Sequence, residues 1–403
     1  MRKIFLAAIV MVITVSNANA TIRRVGFTGI PQIAGVDYTN FYSAHQAAAA
    51  GDTIYVYPGK TLAGPEWPTS FDRAEISKKL IIISKGYWTD STSTPKGNAA
   101  LQASKGTATI GNVNSATYPL YFVPGSAGSV LMGFNGEGES VAINESNITI
   151  KRNYNLIVYL NDFTVSNLTV EGNYRVWFAG NDNQNNIYTN VIIKNNFIYQ
   201  FLLPLKTYSS GVITNNTWIS NGQDNRDGSG DLTMSYFYNN GVYYDRSNID
   251  LKSGTWIFQN NLMLFYTSAD SATNKNYFKI IGATNSIVSY NVALKSGTFT
   301  VWPGTATNNV FLNPSVVSTI CEGFPAMGAR TADDKYALKA GSPALKVNLP
   351  AGSPSDAGMY GGTSPYKLGM IPSIPTIYRI SSPQGNNPTG NTIQINLSTR
   401  SNN

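Results

Sequence analysis

The amino-acid sequence predicts an all-β fold, a right-handed parallel β-helix with a short N-terminal capping helix and an extended C-terminal tail. A phrase made of a β-branched run, one or two asparagines and a second apolar run occurs repeatedly between residues 148 and 312. The last asparagines of these phrases are Asn153, Asn173, Asn196, Asn216, Asn240, Asn261, Asn291 and Asn309. They recur at intervals of roughly twenty residues, which is typical of solenoid coils that carry short strands.

The repeat explains why such coils would stack. Strands of a few residues are too short to form a stable sheet alone, but parallel stacking pairs them and buries their apolar side chains in a shared interior. Asparagine tolerates the left-handed backbone of a corner, and its amide can bond the asparagines above and below. We therefore expect the repeated asparagines to hold the coils together. Propeller blades need a longer period, and the phrase of leucine-rich repeats is absent.

A helical pattern of useful length precedes the repeats. Residues 39–50 contain an alanine-rich amphipathic segment that Thr39 or Asn40 can cap. A Gly-Asp turn and an alternating strand over residues 53–57 follow. Because a solenoid has an open apolar end, we expect this short helix to cap it.

These segments resemble the start of pectin-lyase-like right-handed parallel β-helix proteins, in which a short helix, Gly-Asp-Thr and an apolar strand ending in Pro-Gly form the first coil. Residues 78–86 resemble the next phrase of that family, and residues 336–346 and 355–362 resemble its closing phrase. The resemblance covers residues 37–366 and implies one β-helix domain over residues 21–366. It implies no single activity, because lyases, hydrolases, adhesins and structural proteins share the scaffold.

The N-terminal residues predict export. Two basic residues, an almost unbroken apolar run over residues 4–15 and the small residues Ala18-Asn19-Ala20 follow one another. This order is typical of a secretory signal peptide, here residues 1–20, so that the mature chain would start near Thr21. We expect a secreted or extracytoplasmic protein, in the periplasm, at the cell surface or outside the cell. Neither the short apolar run nor any later stretch reaches the ~20 residues that span a bilayer.

The tail, residues 367–403, differs in composition from the repeats. Prolines favour an extended chain in its first part. An alternating segment then places Ile393, Ile395 and Leu397 on one face of a strand. We expect this strand to lie along the solenoid or to pair with a neighbouring chain.

Charge and composition exclude several classes of function. The full chain has a net charge of +7, and 13% of its residues are charged. Such a mild basic bias suits an acidic partner, but there is no Lys/Arg block of the kind that binds nucleic acid.

Cysteine and histidine are too few for several kinds of site. Cys321 is the only cysteine, so no intramolecular disulfide can form, and we expect it to be a buried apolar residue. His45 is the only histidine, so no multi-histidine metal site can form, and its place in the predicted capping helix argues against a Ser-His-Asp triad. We expect His45 to be a partly exposed residue of the capping helix. Catalysis would have to use Asp/Glu, Lys/Arg or Tyr.

Lysines recur ahead of three of the repeated asparagines. Lys206, Lys252 and Lys279 precede Asn216, Asn261 and Asn291, respectively, by similar distances. On stacked coils they would form a basic stripe that suits a linear polyanion such as an acidic polysaccharide. The alternative is that they only solvate an outward strand face.

Two insertions interrupt the repeats beside this stripe, at residues 219–233 and 267–276. The first holds Asp224, Asp227 and Asp231, an oxygen-rich set that favours a Ca²⁺ site, although it lacks the final glutamate of an EF-hand loop and a polar turn is the alternative. Tyr243, Tyr244, Asp245 and Arg246 follow the first insertion. We expect these residues and the two insertions to line a cleft.

Two hypotheses of function follow. In the first, an exported protein binds an acidic polysaccharide through Lys206, Tyr243 and Asp245. In one form of it the polysaccharide is cleaved by β-elimination, with Arg246, Lys252 or Lys279 as the base and Tyr244 as the acid.

In the second hypothesis the protein is a non-catalytic surface or adhesive solenoid. The Trp-x-Asp-His and Arg-x-Pro-x-x-Arg phrases of pectate lyases and the paired aspartates of polygalacturonases are absent from the repeats. No catalytic residue is therefore carried over from the family.

Overall fold

The computed structural model describes most of the repeat region and its two flanks. The described residues are 20–26, 33–68, 72–86, 108–111, 118–160, 164–180, 187–202, 209–220, 238–239, 242–243, 248–250, 254–265, 279–281, 285–294, 306–323, 334–347, 356–367, 376–381 and 396–400. Among them, no helix is both long and apolar enough to cross a membrane.

Strands dominate the described residues. They are β1 (Ile22–Val25), β2 (Asp37–Tyr38), β3 (Thr53–Val56), β4 (Ala74–Ile76), β5 (Ile81–Ile83), β6 (Leu120–Phe122), β7 (Val130–Met132), β8 (Ser140–Ile143), β9 (Thr149–Lys151), β10 (Ile157–Leu160), β11 (Val165–Ser166), β12 (Thr169–Glu171), β13 (Tyr174–Gly180), β14 (Tyr188–Thr189), β15 (Val191–Lys194), β16 (Phe197–Leu202), β17 (Ser210–Thr214), β18 (Thr217–Ser220), β19 (Tyr238–Asn239), β20 (Val242–Tyr243), β21 (Asn248–Asp250), β22 (Thr255–Gln259), β23 (Leu262–Phe265), β24 (Lys279–Ile281), β25 (Ile287–Ser289), β26 (Val292–Leu294), β27 (Val310–Leu312), β28 (Thr376–Ser381) and β29 (Asn396–Arg400). The helices are α1 (Phe41–Ala47) and two 3₁₀ helices, Pro314–Thr319 and Asp334–Tyr336.

Two long stacks of strands form the body of the protein. Sheet A has the order β2-β1-β3-β5-β7-β9-β12-β15-β17-β22-β25, and sheet B has the order β27-β26-β23-β18-β16-β13-β10-β8-β6-β4. Their neighbouring strands pair in parallel, as in β12 with β15 and β13 with β16. Two shorter parallel pairs, β11–β14 and β21–β24, form part of a third face. The predicted all-β stack of parallel strands is confirmed in this sense, and it is consistent with a parallel β-helix.

From β3 to β26 the described strands of sheets A and B alternate along the chain. The strands β11, β14, β21 and β24 each lie between a strand of sheet B and the next strand of sheet A. Residues with inward side chains, such as Val170 and Ile193 in sheet A and Val176 in sheet B, belong to one continuous buried core. Alternate residues of the same strands are partly exposed, which is the period of two expected for strands with one buried face.

A ladder of asparagines, all buried except the partly buried Asn309, marks the corner between sheets A and B. It consists of Asn153, Asn173, Asn196, Asn216, Asn261, Asn291 and Asn309. The backbone N and the Nδ2 of each asparagine donate to the Oδ1 of the next, at 2.9–3.1 Å. The predicted role of these asparagines in holding successive coils together is confirmed.

Asn240 is the exception, and its assignment to the ladder is wrong. Asn216 bonds directly to Asn261, so no coil corner lies between them. Near Asn240, β19 and β20 pair in antiparallel fashion, with Asn239 opposite Val242. Asn240 itself lies outside the described residues.

The left-handed residue of the corner is also not the one expected. The ladder asparagines have no positive φ, whereas the residue before each of them does. These preceding residues are Arg152, Gly172, Asn195, Asn215, Asn260, Tyr290 and Asn308, with φ between 50° and 65°. The two asparagines of the motif therefore have different roles: the first adopts the left-handed conformation of the turn, and the second forms hydrogen bonds to the neighbouring coils.

The N-terminal helix agrees closely with the sequence pattern. Asn40 caps α1, with its Oδ1 accepting a hydrogen bond from the backbone N of Ser43 at 2.8 Å. Phe41 and Ala44 belong to the same core cluster as the strands. The expectation of a partly exposed His45 is wrong, because its side chain packs beside Phe41 and Trp67 and the residue is 2% exposed.

The segment that follows β27 packs on the outer face of sheet B. Its residues form a second cluster with outward-facing residues of the sheet; the members are Tyr154, Tyr174, Phe197, Leu262, Leu264, Val292, Leu294, Ile320, Cys321, Tyr336, Ala344, Val347, Ala357, Met359 and Tyr366. Sheet B is therefore apolar on both faces in its later coils. Cys321 is fully buried, as predicted, and burial raises the pKa of its thiol.

The tail contains an antiparallel pair of strands. β29, which belongs to the predicted alternating segment, pairs with β28 of the same tail. Thr376 lies opposite Arg400 at one end of the pair, and Ser381 lies opposite Asn396 at the other. The partner of this strand is thus supplied by the tail itself.

Candidate functional site

Two residues of the sequence-predicted site lie in described strands. Lys279 opens β24 on the third face, and Tyr243 closes β20. Lys206, Asp224, Asp227, Asp231, Tyr244, Asp245, Arg246 and Lys252 lie outside the described residues. In the observed register the residue opposite Lys279 is Asn248 rather than another lysine. The lysine stripe and the calcium loop stay predictions, and the described part of the chain contains no cluster of potential metal ligands.

The segments that contain the two insertions begin and end on paired residues of neighbouring coils. The first leaves sheet B at Ser220 and the second at Phe265, and these two residues pair directly in β18 and β23. The chain returns to the third face at Asn248 and at Lys279, which also pair. Since adjacent strands are about 4.8 Å apart, both insertions are anchored at one corner of the solenoid.

A second group of charged residues lies on the outer face of sheet A, and we call it the basic cluster. It consists of Lys151, Arg152 and Lys194, arranged around Glu171. Glu171 pairs with Lys151 on one side and with Lys194 on the other. Each of these residues follows a buried residue of its strand, so its side chain lies on the outer surface. The Nζ of Lys194 lies 3.4 Å from the Oε1 of Glu171.

The electrostatics of the basic cluster are those of closely spaced positive charges. Burial lowers the pKa of Lys151, and the neighbouring charges of Arg152 and Lys194 lower it further, against the opposing effect of Glu171. Burial also lowers the pKa of Arg152. Within the cluster three cationic side chains surround the carboxylate of Glu171, an arrangement that attracts anions.

The backbone at Arg152 gives a second reason to regard the cluster as functional. At this corner position the described coils use asparagine or glycine, except for Arg152 and Tyr290. A long side chain with φ near 54° is unfavourable by about 1 kcal/mol or more. Such departures from a local rule are expected at functional sites. The stem of Arg152 runs close to Gly172, where an added Cβ would lie 3.6 Å from its Cγ.

The same face continues as two rows of side chains along later coils. In register beyond Lys194 lie Thr214, Gln259 and Ser289, and the Nε2 of Gln259 donates to the Oγ of Ser289 at 2.8 Å. Beside this polar row lies an aliphatic row of Ile192, Val212, Ile257 and Ile287. Ile287 is 54% exposed and Ile257 is 36% exposed. The result is a surface with one charged end, a polar edge that ends at the buried Ser289, and an aliphatic edge.

A cleft lies at the far end of the corner, beside the last rung of the ladder. It encloses about 600 Å³ and is lined by Tyr290, Asn308, Asn309, Val310, Pro343, Leu345, Lys346 and Val347. Lys346 is the one charged residue of this lining. The cleft is therefore less suited to a polyanion than the basic cluster is.

The basic cluster has its own signal in the sequence, which differs from the spacing of Lys206, Lys252 and Lys279. Each outward residue next to the corner stands two positions before a ladder asparagine. That position is occupied by Lys151, Glu171, Lys194, Thr214, Gln259 and Ser289.

Comparison of the chain with known proteins finds no matching family model, curated protein or solved structure.

Proposed function

We propose that the protein is an exported solenoid that binds an acidic polysaccharide along the outer face of sheet A. The observation that carries the proposal is the basic cluster, in which Lys151, Arg152 and Lys194 outnumber the single carboxylate of Glu171. Its charge suits the regularly spaced carboxylates of a uronate polymer. The mild positive charge of the whole chain is in keeping with this partner.

The geometry suits a linear ligand that runs along the stack. Lys151 and Lys194 are two coils apart, which corresponds to about 10 Å and is close to the length of a disaccharide unit. Arg152 adds a planar fork that can hold a carboxylate through two parallel hydrogen bonds. Further along, the amide of Gln259 can bond sugar hydroxyls, and the aliphatic row can pack against the apolar faces of sugar rings.

Cleavage of a uronate polymer is a second candidate function, and it would take place on another face, where sheet B meets the third face and the two insertions are anchored as a pair. A base, Arg246, Lys252 or Lys279, would take the proton on the carbon next to the uronate carboxylate. The electron pair would form a carbon–carbon double bond as the glycosidic oxygen leaves, and Tyr244 would protonate that oxygen. Lys206, Tyr243 and Asp245 would contact the substrate, and a Ca²⁺ ion held by Asp224, Asp227 and Asp231 would neutralise its carboxylate.

We also infer the finer features of the architecture. Parallel strands joined through a crossover are right-handed in almost all proteins, which favours a right-handed β-helix of the pectin-lyase-like kind. The packing of Phe41 and Ala44 on the strand core supports a capping role for α1. Residues 1–20 would act as a signal peptide, which places the mature protein outside the cytoplasm.

A binding assay with matched lysine variants tests the proposal. The mature protein is titrated with polygalacturonate, alginate and a neutral glucan, with and without Ca²⁺, while absorbance at about 235 nm reports the unsaturated product of β-elimination. We expect binding of the uronate polymers, weakened by salt and reduced several-fold in Lys151→Ala and Lys194→Ala. Lys79→Ala is the control, because it removes one exposed charge away from the cluster.

The outcomes separate the alternatives. Equal binding by the parent and both cluster variants would refute the basic cluster as the binding site. Binding without a rise in absorbance would leave a non-catalytic binding protein. A rise that is lost in Lys279→Ala or Arg246→Ala would identify a lyase and locate its base. The absence of binding to every polymer would favour the adhesive or structural solenoid.

A further inference from the structure

A buried carboxylate holds the first backbone nitrogen of the solenoid. The Oδ1 of Asp52 accepts a hydrogen bond from the backbone N of Thr21 at 2.8 Å. Its Oδ2 accepts from the Nε of Arg23 at 2.8 Å and from the backbone N of Ala49 at 2.9 Å. The Asp52 side chain is 3% exposed, so these donors replace water around it.

Thr21 is also the residue that would become the N-terminus after removal of residues 1–20. Within the longer chain its nitrogen is a neutral amide with one hydrogen. After cleavage the same atom is an ammonium group with three hydrogens and a positive charge near neutral pH. Ala20, the first described residue, is exposed, so the bond between Ala20 and Thr21 lies at the surface.

We propose that Asp52 is a binding site for the α-ammonium group created by processing between Ala20 and Thr21, and that the resulting ion pair fastens the first strand of the solenoid. The proposal rests on the proposed removal of the signal peptide and is independent of polysaccharide binding. Charged hydrogen bonds are stronger than neutral ones, and the Asp52 carboxylate is already buried beside the nitrogen of Thr21.

The contacts around Asp52 explain what such an ion pair would fasten. Thr21 also accepts a hydrogen bond from the backbone N of Thr53, at the start of β3. Arg23 in β1 extends the network to β2 and its approach, because its Nη1 donates to the backbone O of Gly35 and to the hydroxyl of Tyr38. The pair of charges thus lies where β1, β2 and β3 meet at the end of sheet A.

The two oxygens of the Asp52 carboxylate can pair with two different cations. Oδ1 faces the nitrogen of Thr21, and Oδ2 faces Arg23, so neither cation displaces the other. Burial alone would raise the pKa of Asp52, but the hydrogen bonds from Thr21, Ala49 and Arg23 lower it overall. The site therefore holds a carboxylate ready to pair with the new charge.

An insertion variant of the full chain tests the proposal. The parent is expressed with its own leader in a Gram-negative host, and mass spectrometry of the exported protein identifies its first residue, which we expect to be Thr21. A variant with Gly-Ser inserted between Ala20 and Thr21 would retain the cleavage site but return the nitrogen of Thr21 to an amide. We expect the insertion to lower the urea midpoint of unfolding in the parent.

The same insertion in an Asp52→Asn background is the matched control, and there we expect no further drop. A different first residue, an unchanged midpoint in the parent background, or equal drops in the two backgrounds would overturn the proposal. Amine labelling supplies a second measurement if Asp52→Asn does not fold. The Thr21 amine should react about tenfold more slowly than the glycine amine of the insertion variant, and equal rates would contradict the ion pair.

Discussion

Asn196 donates a hydrogen bond from its Nδ2 to the Oδ1 of Asn216 in the next coil, at 3.1 Å. Its backbone N donates to the same oxygen at 3.0 Å. The Oδ1 of Asn196 in turn accepts both bonds that Asn173 sends. Each ladder asparagine is thus a donor to one neighbouring coil and an acceptor from the other, and the loss of one rung affects both.

Replacement of a central rung should therefore be strongly destabilising. Asn196→Ala would remove the side-chain acceptor of the buried backbone N of Asn173, one of the acceptors of its Nδ2, and the side-chain donor to the backbone O of Val170. We expect the free energy of unfolding to fall by about 3 kcal/mol or more, since each buried polar group left unpaired contributes about 1–3 kcal/mol. Chemical denaturation measures the change.

An exposed asparagine pair provides the control for this prediction. The Nδ2 of Asn190 donates to the Oδ1 of Asn167 at 2.6 Å at an exposed corner, and Asn190 has a positive φ of 53°. Asn190→Gly removes the side chain but keeps the backbone conformation, so we expect a change within about 0.5 kcal/mol. Similar losses at Asn196 and Asn190 would show that burial does not determine the strength of the ladder.

The sequence was sufficient to predict the ladder because its spacing and its chemistry agree at almost every coil. It failed at Asn240, where the Asn-Gly dipeptide that favours a hairpin also resembles the corner motif. The left-handed position was misplaced by one residue, because asparagine suits both halves of the corner. Only the coils with Arg152, Gly172 or Tyr290 separate the two roles, since those residues can turn the chain but cannot form the ladder.

We expect Arg152 to lower the free energy of unfolding and to contribute to the binding of uronate polymers. Arg152→Asn would place a residue that tolerates left-handed backbone at this corner, so we expect a gain of about 1 kcal/mol in the free energy of unfolding. We also expect weaker binding of uronate polymers, because the cluster loses one of its cations. Denaturation and binding titrations of the same preparation measure both effects.

Tyr290→Asn is the matched comparison, because it relieves the same backbone conformation at another coil. We expect a similar gain in stability and unchanged affinity for the polymer. Loss of affinity in Tyr290→Asn, with retention in Arg152→Asn, would instead place the ligand in the cleft beside the last rung of the ladder.

The basic cluster could have been predicted from the register, whereas the cleft could not. The position two residues before each ladder asparagine faces outward in successive coils, so its side chains can be read directly from the repeat. The cleft joins Tyr290 to Pro343 and Lys346, which belong to the segment that packs on the outside of sheet B. No periodicity relates that segment to the coils, and its apolar residues alone do not reveal which face they cover.

Buried His45 should make stability depend on pH. Burial, and secondly the charge of Lys78, lower the pKa of His45 to about 4. Below about pH 6.5 the unfolded chain takes up a proton that the folded protein does not, so stability should fall as the pH drops from 6.5 to 4, by about 3 kcal/mol in total. Asp37 and Asp52 also have a lowered pKa, but their contributions are lost at lower pH.

His45→Phe isolates this effect. Neither ring nitrogen of His45 has a hydrogen-bond partner among the described residues, so a phenyl ring can replace it beside Phe41 and Trp67. We expect the variant to show a nearly flat stability between pH 6.5 and 4 by chemical denaturation. The same slope in parent and variant would assign the dependence to other groups.

The segment that covers the outer face of sheet B packs closely around Gly361, and we expect its position to depend on the absence of a side chain there. The Nδ2 of Asn195 donates to the backbone O of Met359 at 3.0 Å and of Gly361 at 2.6 Å, which fastens the covering segment to the corner of the coils. An added Cβ at Gly361 would lie 1.9 Å from the backbone O of Asp356 and 2.8 Å from the Nδ2 of Asn215. We expect Gly361→Ala to loosen this segment and to expose apolar residues of sheet B such as Leu264.

Limited proteolysis with mass spectrometry checks this expectation, because cleavage between residues 334 and 367 should accelerate in Gly361→Ala. Gly341→Asn is the control. Gly341 has a positive φ of 78° that asparagine tolerates, and an added Cβ would meet nothing within 4 Å. If both variants resisted protease as well as the parent does, the bonds from Asn195 would not be what holds the segment against the solenoid. Faster cleavage in Gly361→Ala alone would show that the later coils need this cover, because their sheet B strands are apolar on both faces.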